Sequence, residues 1–205
     1  MKRRPLRIQN LGSARAVILH RPHPVVLALE RQLRAIGLEV LQAWPDLGPE
    51  ALGADFVFFD ADMGHDDQFP WPAGRSPMPM VALIGSEAPG RIEWALSAGA
   101  HAQLLKPVGD SGAYSALLIA RDAFDVQRAL SVEIADLRRR LDERQTVVRA
   151  VTLLAARAGK DDAAAYDQLR QMAMAWRVSF EEAAARVVAQ MTDRQDDDDD
   201  RRNRG

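Results

Sequence analysis

Cysteine is absent from the 205 residues, which removes disulfide staples, thiolate nucleophiles and sulfur-ligated zinc together and suits a reducing compartment. Aromatic residues are sparse at 6%. No run of about 18 to 20 uninterrupted apolar residues occurs, and the basic start MKRRPLRIQN lacks the apolar centre of a signal peptide. A soluble, cytoplasmic protein without membrane contact is the expectation. An excess of either charge is missing too: the net charge is −2, so contact with nucleic acid must come from a local patch. The chain has no Gly-rich phosphate loop, no nucleophile elbow and no helical His-Glu pair of the zinc-protease kind. No enzymatic activity and no cofactor are expected.

Hydrophobic residues make up 47% of the chain, enough for one good core and a smaller helical module. In the first half, AVILH (16–20), LEVLQA (38–43), FVFFD (56–60), MVALI (80–84) and AQLL (102–105) are short apolar runs bounded by Gly, Pro and Asp. Such runs suit strands buried on both faces of a parallel sheet. Between the first two, PVVLALERQLRAIG sets Leu27, Leu29, Glu30, Leu33 and Ile36 at helical spacing and stops at Gly37. A second helix is expected over Arg91 to Ala98. The stretch Gly64 to Pro79, where a crossover helix belongs, is rich in Pro, Asp and Gly and fits a helix poorly. The order predicts an α/β fold with a flavodoxin-like, doubly wound, five-stranded parallel sheet.

Over residues 14–125 this order resembles the bacterial response-regulator receiver, through Asp60 after the third strand, Met63-Gly64 behind it and Lys106-Pro107 after the fifth. The resemblance implies that Asp60 sits where that family is phosphorylated and Lys106 where its lysine pairs the phosphoryl group. It also implies departures. The acidic pair that helps hold magnesium is replaced by His20-Arg21-Pro22-His23, and the hydroxyl position reads Ile84, followed by Gly85 and Ser86. Phosphoryl transfer relies on magnesium, which wants octahedral oxygen ligands. Asp60, Lys106, His20, Arg21 and Ile84 therefore read as a vestigial pocket, with Asp60 paired to Lys106 or Arg21 and an arginine standing in for the metal. His65-Asp66-Asp67 reads as a solvated loop.

From Ala113 through Ala158 the chain has neither Gly nor Pro. Ala116, Ala120, Ala123, Gln127, Leu130, Ile134, Leu137, Leu141, Arg144, Val148 and Val151 alternate at spacings of four and three, strongest from Leu130 to Leu141. A coiled-coil helix closing a parallel homodimer is the expected outcome, with Leu130, Ile134, Leu137, Leu141 and Val148 as its seam. Pairing with the C-terminal helices of the same chain is the alternative. Gly159 ends this helix, Asp161-Asp162 start another, and Ser179 with Glu182 forms a capping box for the last.

This small three-helix C-terminal domain resembles the ANTAR module, an RNA-binding antiterminator domain. Arg144, Val148, Ala150, Leu153-Leu154, Ala165-Tyr166, Leu169-Arg170, Ala173-Met174, Ala183-Ala184 and Val187-Val188 carry the resemblance. It departs at Val151 and Ala155, where the family usually has lysine and methionine. A pseudo-receiver, a coiled coil and an ANTAR module in this order resemble the AmiR family of antiterminators. That resemblance implies binding to leader RNA hairpins, and control by a cytoplasmic ligand sensor of the periplasmic-binding-protein fold rather than by phosphorylation.

From Arg138 to Arg177 nine positive side chains face five negative ones, a local excess of four. Hairpin RNA is recognised through phosphates and stacked loop bases, so Arg144, Arg149, Arg157, Lys160, Tyr166 and Arg170 are the expected contacts. The domain plan is 1–13 tail, 14–112 pseudo-receiver, 113–143 coiled coil, 144–191 ANTAR and 192–205 a charged tail without fixed structure. Two other readings stay open. A DNA-binding response regulator would need a basic recognition helix, which FEEAAARVVAQM is not, and a dimerising adaptor without nucleic acid would need no ANTAR spacing.

Overall fold

The computed structural model describes residues 11–159 and 161–202, with 192–202 described by backbone alone. The chain divides within one long helix into a unit up to Ala129 and a unit from Leu130.

The first unit is built on parallel strands β1 (Arg15–Leu19), β2 (Glu39–Ala43), β3 (Phe56–Asp60), β4 (Met80–Ile84) and β5 (Ala102–Leu105), in the order β2-β1-β3-β4-β5. This is the doubly wound sheet the sequence predicts. Its helices are α1 (Pro24–Ile36), α2 (Pro89–Ala98) and the start of α3 (Ala113–Ala158). Every residue of β3 and β4 is buried, as strands between two covered faces must be. The outer strands differ from the expectation: β2 and β5 are only partly buried, because an edge strand has a neighbour on one side alone.

Alternate residues feed opposite faces of the sheet. Ile18, Phe58 and Leu83 meet Val26, Leu29 and Leu33 of α1 and Ala116, Leu117 and Ala120 of α3. Leu19, Phe59, Met80 and Ile84 meet Ala95 of α2 together with Leu47 and Met78 from loops and Ala51 from a short 3-10 turn. In α1 the packed side is Val25, Val26, Leu29 and Leu33, while Leu27, expected on that face, is 63% exposed. Pro24 opens α1, the His23 ring accepts from Val25 N at 3.2 Å, and Gly37 closes it at φ 101°.

The crossovers on either side of β3 have no α-helix and keep only short 3-10 turns at Pro49–Gly53 and Asp66–Gln68. Four prolines between Pro70 and Pro79 remove backbone donors that a helix would need. Rings take the helix's place on the sheet. Phe59 meets Phe69 edge-on at 5.4 Å and Trp94 at 5.9 Å, and Phe69 stacks on Trp71 at 5.7 Å. Trp94 lies so close over Gly64 that an added Cβ would sit 2.1 Å from its ring, and its indole N–H donates to Asp66 at 2.8 Å.

In the second unit, α3 from Leu130, α4 (Asp162–Trp176) and α5 (Phe180–Arg202) enclose Ala150, Leu154, Ala165, Leu169, Ala173, Ala183, Ala184 and Val187. Mostly small side chains let the helices approach closely. Gly159 leaves α3 at φ 60°, Asp161 caps α4 through Ala164 N at 2.8 Å, and Arg177 ends α4 in the left-handed region at φ 55°. Ser179 caps α5 through Glu182 N at 3.1 Å. The reciprocal half of the expected capping box is replaced, since the Glu182 carboxylate pairs with Arg186 at 2.6 Å.

The backbone of α5 continues to Arg202, past residue 191 where the sequence reading ends the helix and begins a tail without structure. No Gly or Pro interrupts the chain between Phe180 and Asn203, and propagation of a helix already nucleated on a packed core costs little per residue. Residues 1–10 and 203–205, which belong to the expected terminal tails, lie outside the described residues.

Candidate functional site

Above the C-terminal ends of β1, β3 and β5, Asp60 and His20 are almost fully buried, each 2% exposed at the side chain. Asp60 Oδ1 receives Lys106 Nζ at 2.8 Å and the main-chain N–H of Asp62 at 3.0 Å, while Oδ2 lies 3.1 Å from His20 Nε2. His20 Nδ1 is 2.7 Å from the Arg21 carbonyl, which orients the ring. Lys106 reaches further, to Asp62 Oδ2 at 2.6 Å, and Asp62 in turn accepts from Gly85 N at 2.8 Å and Ser86 N at 2.9 Å. Burial pushes the Asp62 carboxyl up, but hydrogen bonds from Lys106, Ser86 and Gly85 and the charge of Lys106 outweigh it and hold it below the ordinary carboxylate range.

The structure thus brings together Asp60, Lys106 and His20 of the expected pocket. It corrects the other two. Arg21 is exposed and contributes its carbonyl, so no arginine pairs with Asp60; the partners are Lys106 and His20. Ile84 turns its side chain into the core and offers only its carbonyl, which accepts from Lys106 N at 2.7 Å. Asp62 is a pocket residue that the sequence reading passed over, although an aspartate two positions after a strand-end aspartate was a visible signal. At the loop, His65 pairs with Asp46 at 3.5 Å, and no group of three metal-ligating side chains occurs among the described residues.

In the helical unit, Tyr166 is 40% exposed, stands 4.9 Å from the Phe180 ring, and lies 5.7 Å beneath the Arg170 guanidinium. With Met174 and Arg177 these residues line an open depression of about 510 Å³. A solvent-facing aromatic beside two arginines has the chemistry to stack a base and pair a phosphate.

The other expected contacts do not converge there. Arg144, Arg149 and Arg157 are exposed on α3, yet at 100° per residue Arg144 and Arg149 point about 140° apart, and Lys160 lies outside the described residues. Part of the positive excess of this region is neutralised locally, because Asp136, just upstream, holds Arg139 at 2.6 Å and Arg140 at 2.8 Å. Phe180, missed by the sequence reading, is the ring that supports Tyr166.

The long apolar stripe of α3 splits in three. Ala116 and Ala120 belong to the sheet core, and Ala150 and Leu154 to the helical core, with Val151 packed against it. Between them Leu130, Ile134, Leu137, Leu141 and Val148 are 47% to 64% exposed and lie within about 60° on the helix surface. The intramolecular alternative holds for the end of α3, while the central seam stays open.

Comparison with known proteins places this geometry. A family model described as AmiR, N-terminal, matches residues 14–121, more than half of the chain. The chain belongs to the AmiR family. An ANTAR domain model matches residues 135–188, the helical unit. Among AmiR-type relatives, the aliphatic amidase regulator of Pseudomonas aeruginosa is 28% identical over 170 residues, covering 80% of this chain and 87% of that protein. The transcriptional regulatory protein PdtaR of Mycobacterium tuberculosis is 30% identical over 169 residues, covering 78% and 82%. A response regulator from Thermotoga maritima, at 20% identity, superposes with a TM-score of 0.40 over 53% of this chain and 98% of that one. The receiver-like fold rests on the strand order and the family match. No helix among the described residues is long and apolar enough to cross a membrane.

Proposed function

We propose that this protein is an RNA-binding regulator of transcription antitermination that engages hairpins in a leader transcript. The observation that carries the reading is the ANTAR match across the helices of the second unit, joined to an intact small-residue core and an exposed Tyr166 and Arg170 pair backed by the half-buried Phe180. The names of the relatives, an amidase regulator and a transcriptional regulatory protein, point the same way. Arginine supplies phosphate contact and Tyr166 a stacking surface for an unpaired base. The open seam from Leu130 to Val148 supports a parallel homodimer that presents two such faces, with working boundaries at 14–112 for the receiver-like domain, 113–143 for the coiled coil and 144–191 for ANTAR. Release from a cytoplasmic, ligand-sensing protein partner, rather than phosphorylation of Asp60, is the control that suits a pocket whose aspartate is already paired on both oxygens.

The test is binding of the purified protein to the leader transcript of its own operon and to the matching DNA duplex, at low and moderate salt. Preference for the RNA hairpin is expected. Removing one stacking ring costs about 1–3 kcal/mol, so Tyr166→Ala should weaken binding about fivefold or more. Arg170→Ala should weaken it and flatten its salt dependence. Equal affinity for RNA and duplex, unchanged by either substitution, would reject the reading.

A further inference from the structure

The loop after β4 presents two consecutive main-chain N–H groups, from Gly85 and Ser86, and Lys106 adds an ammonium from the end of β5. All three meet at one carboxylate. Gly85 N and Lys106 Nζ reach Asp62 Oδ2 at 2.8 and 2.6 Å, and Ser86 N reaches Oδ1 at 2.9 Å. Successive backbone amides beside a lysine form an anion-binding concavity, suited to the several oxygens of a phosphate-like group as well as to a carboxylate. Gly85 fits this use. A Cβ there would stand 2.7 Å from Asp62 Oδ2 and 3.2 Å from Lys106 Cε, so a larger residue would push the anion out of the cradle.

We infer that Gly85, Ser86 and Lys106 form an oxyanion cradle whose ligand is the side chain of Asp62, a tethered carboxylate that keeps phosphate-type anions out of the receiver-like pocket. Three features of the site support this occupancy. A tethered group competes at an effective concentration of about millimolar or above, without loss of translational freedom. An incoming dianion would meet Asp62 and Asp60 together, with Lys106 already shared between them. Both oxygens of Asp60 are engaged, by Lys106 and Asp62 N on one side and His20 on the other, so neither is aimed at an entering phosphoryl group. The depressed ionisation of Asp62 agrees with an anion held by donors. One carboxylate thereby ties the loops that follow β3, β4 and β5, a self-liganded arrangement that does not depend on whether the helical unit binds RNA.

The experiment follows the backbone amide signals of Gly85 and Ser86 by NMR in the full-length protein during titration with inorganic phosphate. In the parent both signals should stay in place at millimolar phosphate. In Asp62→Ala they should shift together and saturate, with an affinity at least about tenfold above that of the parent. A folded Asp62→Ala without saturable shifts, or a parent that binds phosphate equally well, overturns the inference. Should Asp62→Ala not fold, Asp62→Asn, of nearly the same volume and without the charge, takes its place. Amide exchange in the parent supplies an independent check. Gly85 and Ser86 must exchange more slowly than exposed Glu87 in the same loop, and equal rates for all three would remove the cradle.

Discussion

The two units treat their polar side chains in opposite ways. In the receiver-like unit His20, Asp60, Lys106 and Asp62 turn toward one another and leave little for a ligand, whereas in the helical unit Tyr166, Arg170 and Arg177 surround an open depression. A buried charge survives only when it is paired. An exposed one needs no partner and contributes little to stability. The difference sets the two apart experimentally: substitutions in the closed cluster should act on folding, and, under the proposed RNA-binding reading, those on the open face should act on binding.

The sharpest way to separate the units is through their cores. Leu169 is fully buried in a core made mostly of small residues, and loss of a buried leucine costs about 2–5 kcal/mol. A helical unit of this size holds little more stability than that. Leu169→Ala should therefore melt the helices of the second unit while the sheet stays folded, seen as a split urea transition with the Trp71 and Trp94 fluorescence change retained at the higher midpoint. One joint transition at the parent midpoint would mean that the units are not separately stable.

The closed cluster comes next. Lys106→Met keeps the aliphatic stem of the side chain and removes the charge that serves both Asp60 and Asp62. Breaking a fully buried pair costs about 3–5 kcal/mol. Because Lys106 is 14% exposed and His20 still faces Asp60, a loss at or below the lower end is expected, read from urea unfolding. RNA affinity per folded molecule should not change, which sets this variant apart from Arg170→Ala.

The sheet was legible in the sequence because β1, β3 and β4 are continuous apolar runs, and a strand buried on both faces leaves no other pattern. The missing crossover helix was legible too, as a cluster of prolines. What escaped is chemistry built from the main chain: the cradle uses amides of Gly85 and Ser86 that no side-chain pattern announces. Of the two partners the sequence offers Asp60, Lys106 and Arg21, only Lys106 reaches it: the chain turns outward after His20 and leaves the ring, not the guanidinium, over the carboxylate. On the helical side, Tyr166 and Arg170 stand one turn apart on α4 and meet at 5.7 Å, whereas Arg144 and Arg149, expected from the sequence to act with them, diverge on α3.

The seam of α3 gives a smaller but cleaner contrast, between two faces of one helix. Leu137 lies on the open stripe, and Val132, 65% exposed, lies about 170° away from its centre. In a coiled-coil dimer a core position rejects charge and an outer one accepts it. Leu137→Asp should shift the protein to monomer in sedimentation equilibrium, and Val132→Asp should leave the assembly as it is. Equal behaviour of the two variants would reject the proposed homodimer seam.

The smallest effect expected concerns the place where sheet and α3 meet within the first unit. His101 Nδ1 accepts from Met80 N at 3.1 Å, and the ring stands edge-on to Phe124 at 5.3 Å. Burial pulls its ionisation below the ordinary histidine value, and the hydrogen bond to Gln127 opposes this only in part. Protonation would turn the accepting nitrogen into a donor facing another donor. With the folded value depressed, the unfolded chain takes up the proton first. The contribution of His101 is thus complete above about pH 6.5 and is lost as pH falls toward the folded value. His101→Asn retains an acceptor for Met80 N and cannot titrate. The parent should lose more stability than this variant between about pH 7.5 and 5.5; parallel losses would assign the acid sensitivity to other groups and leave His101 a neutral wedge between β4 and α3.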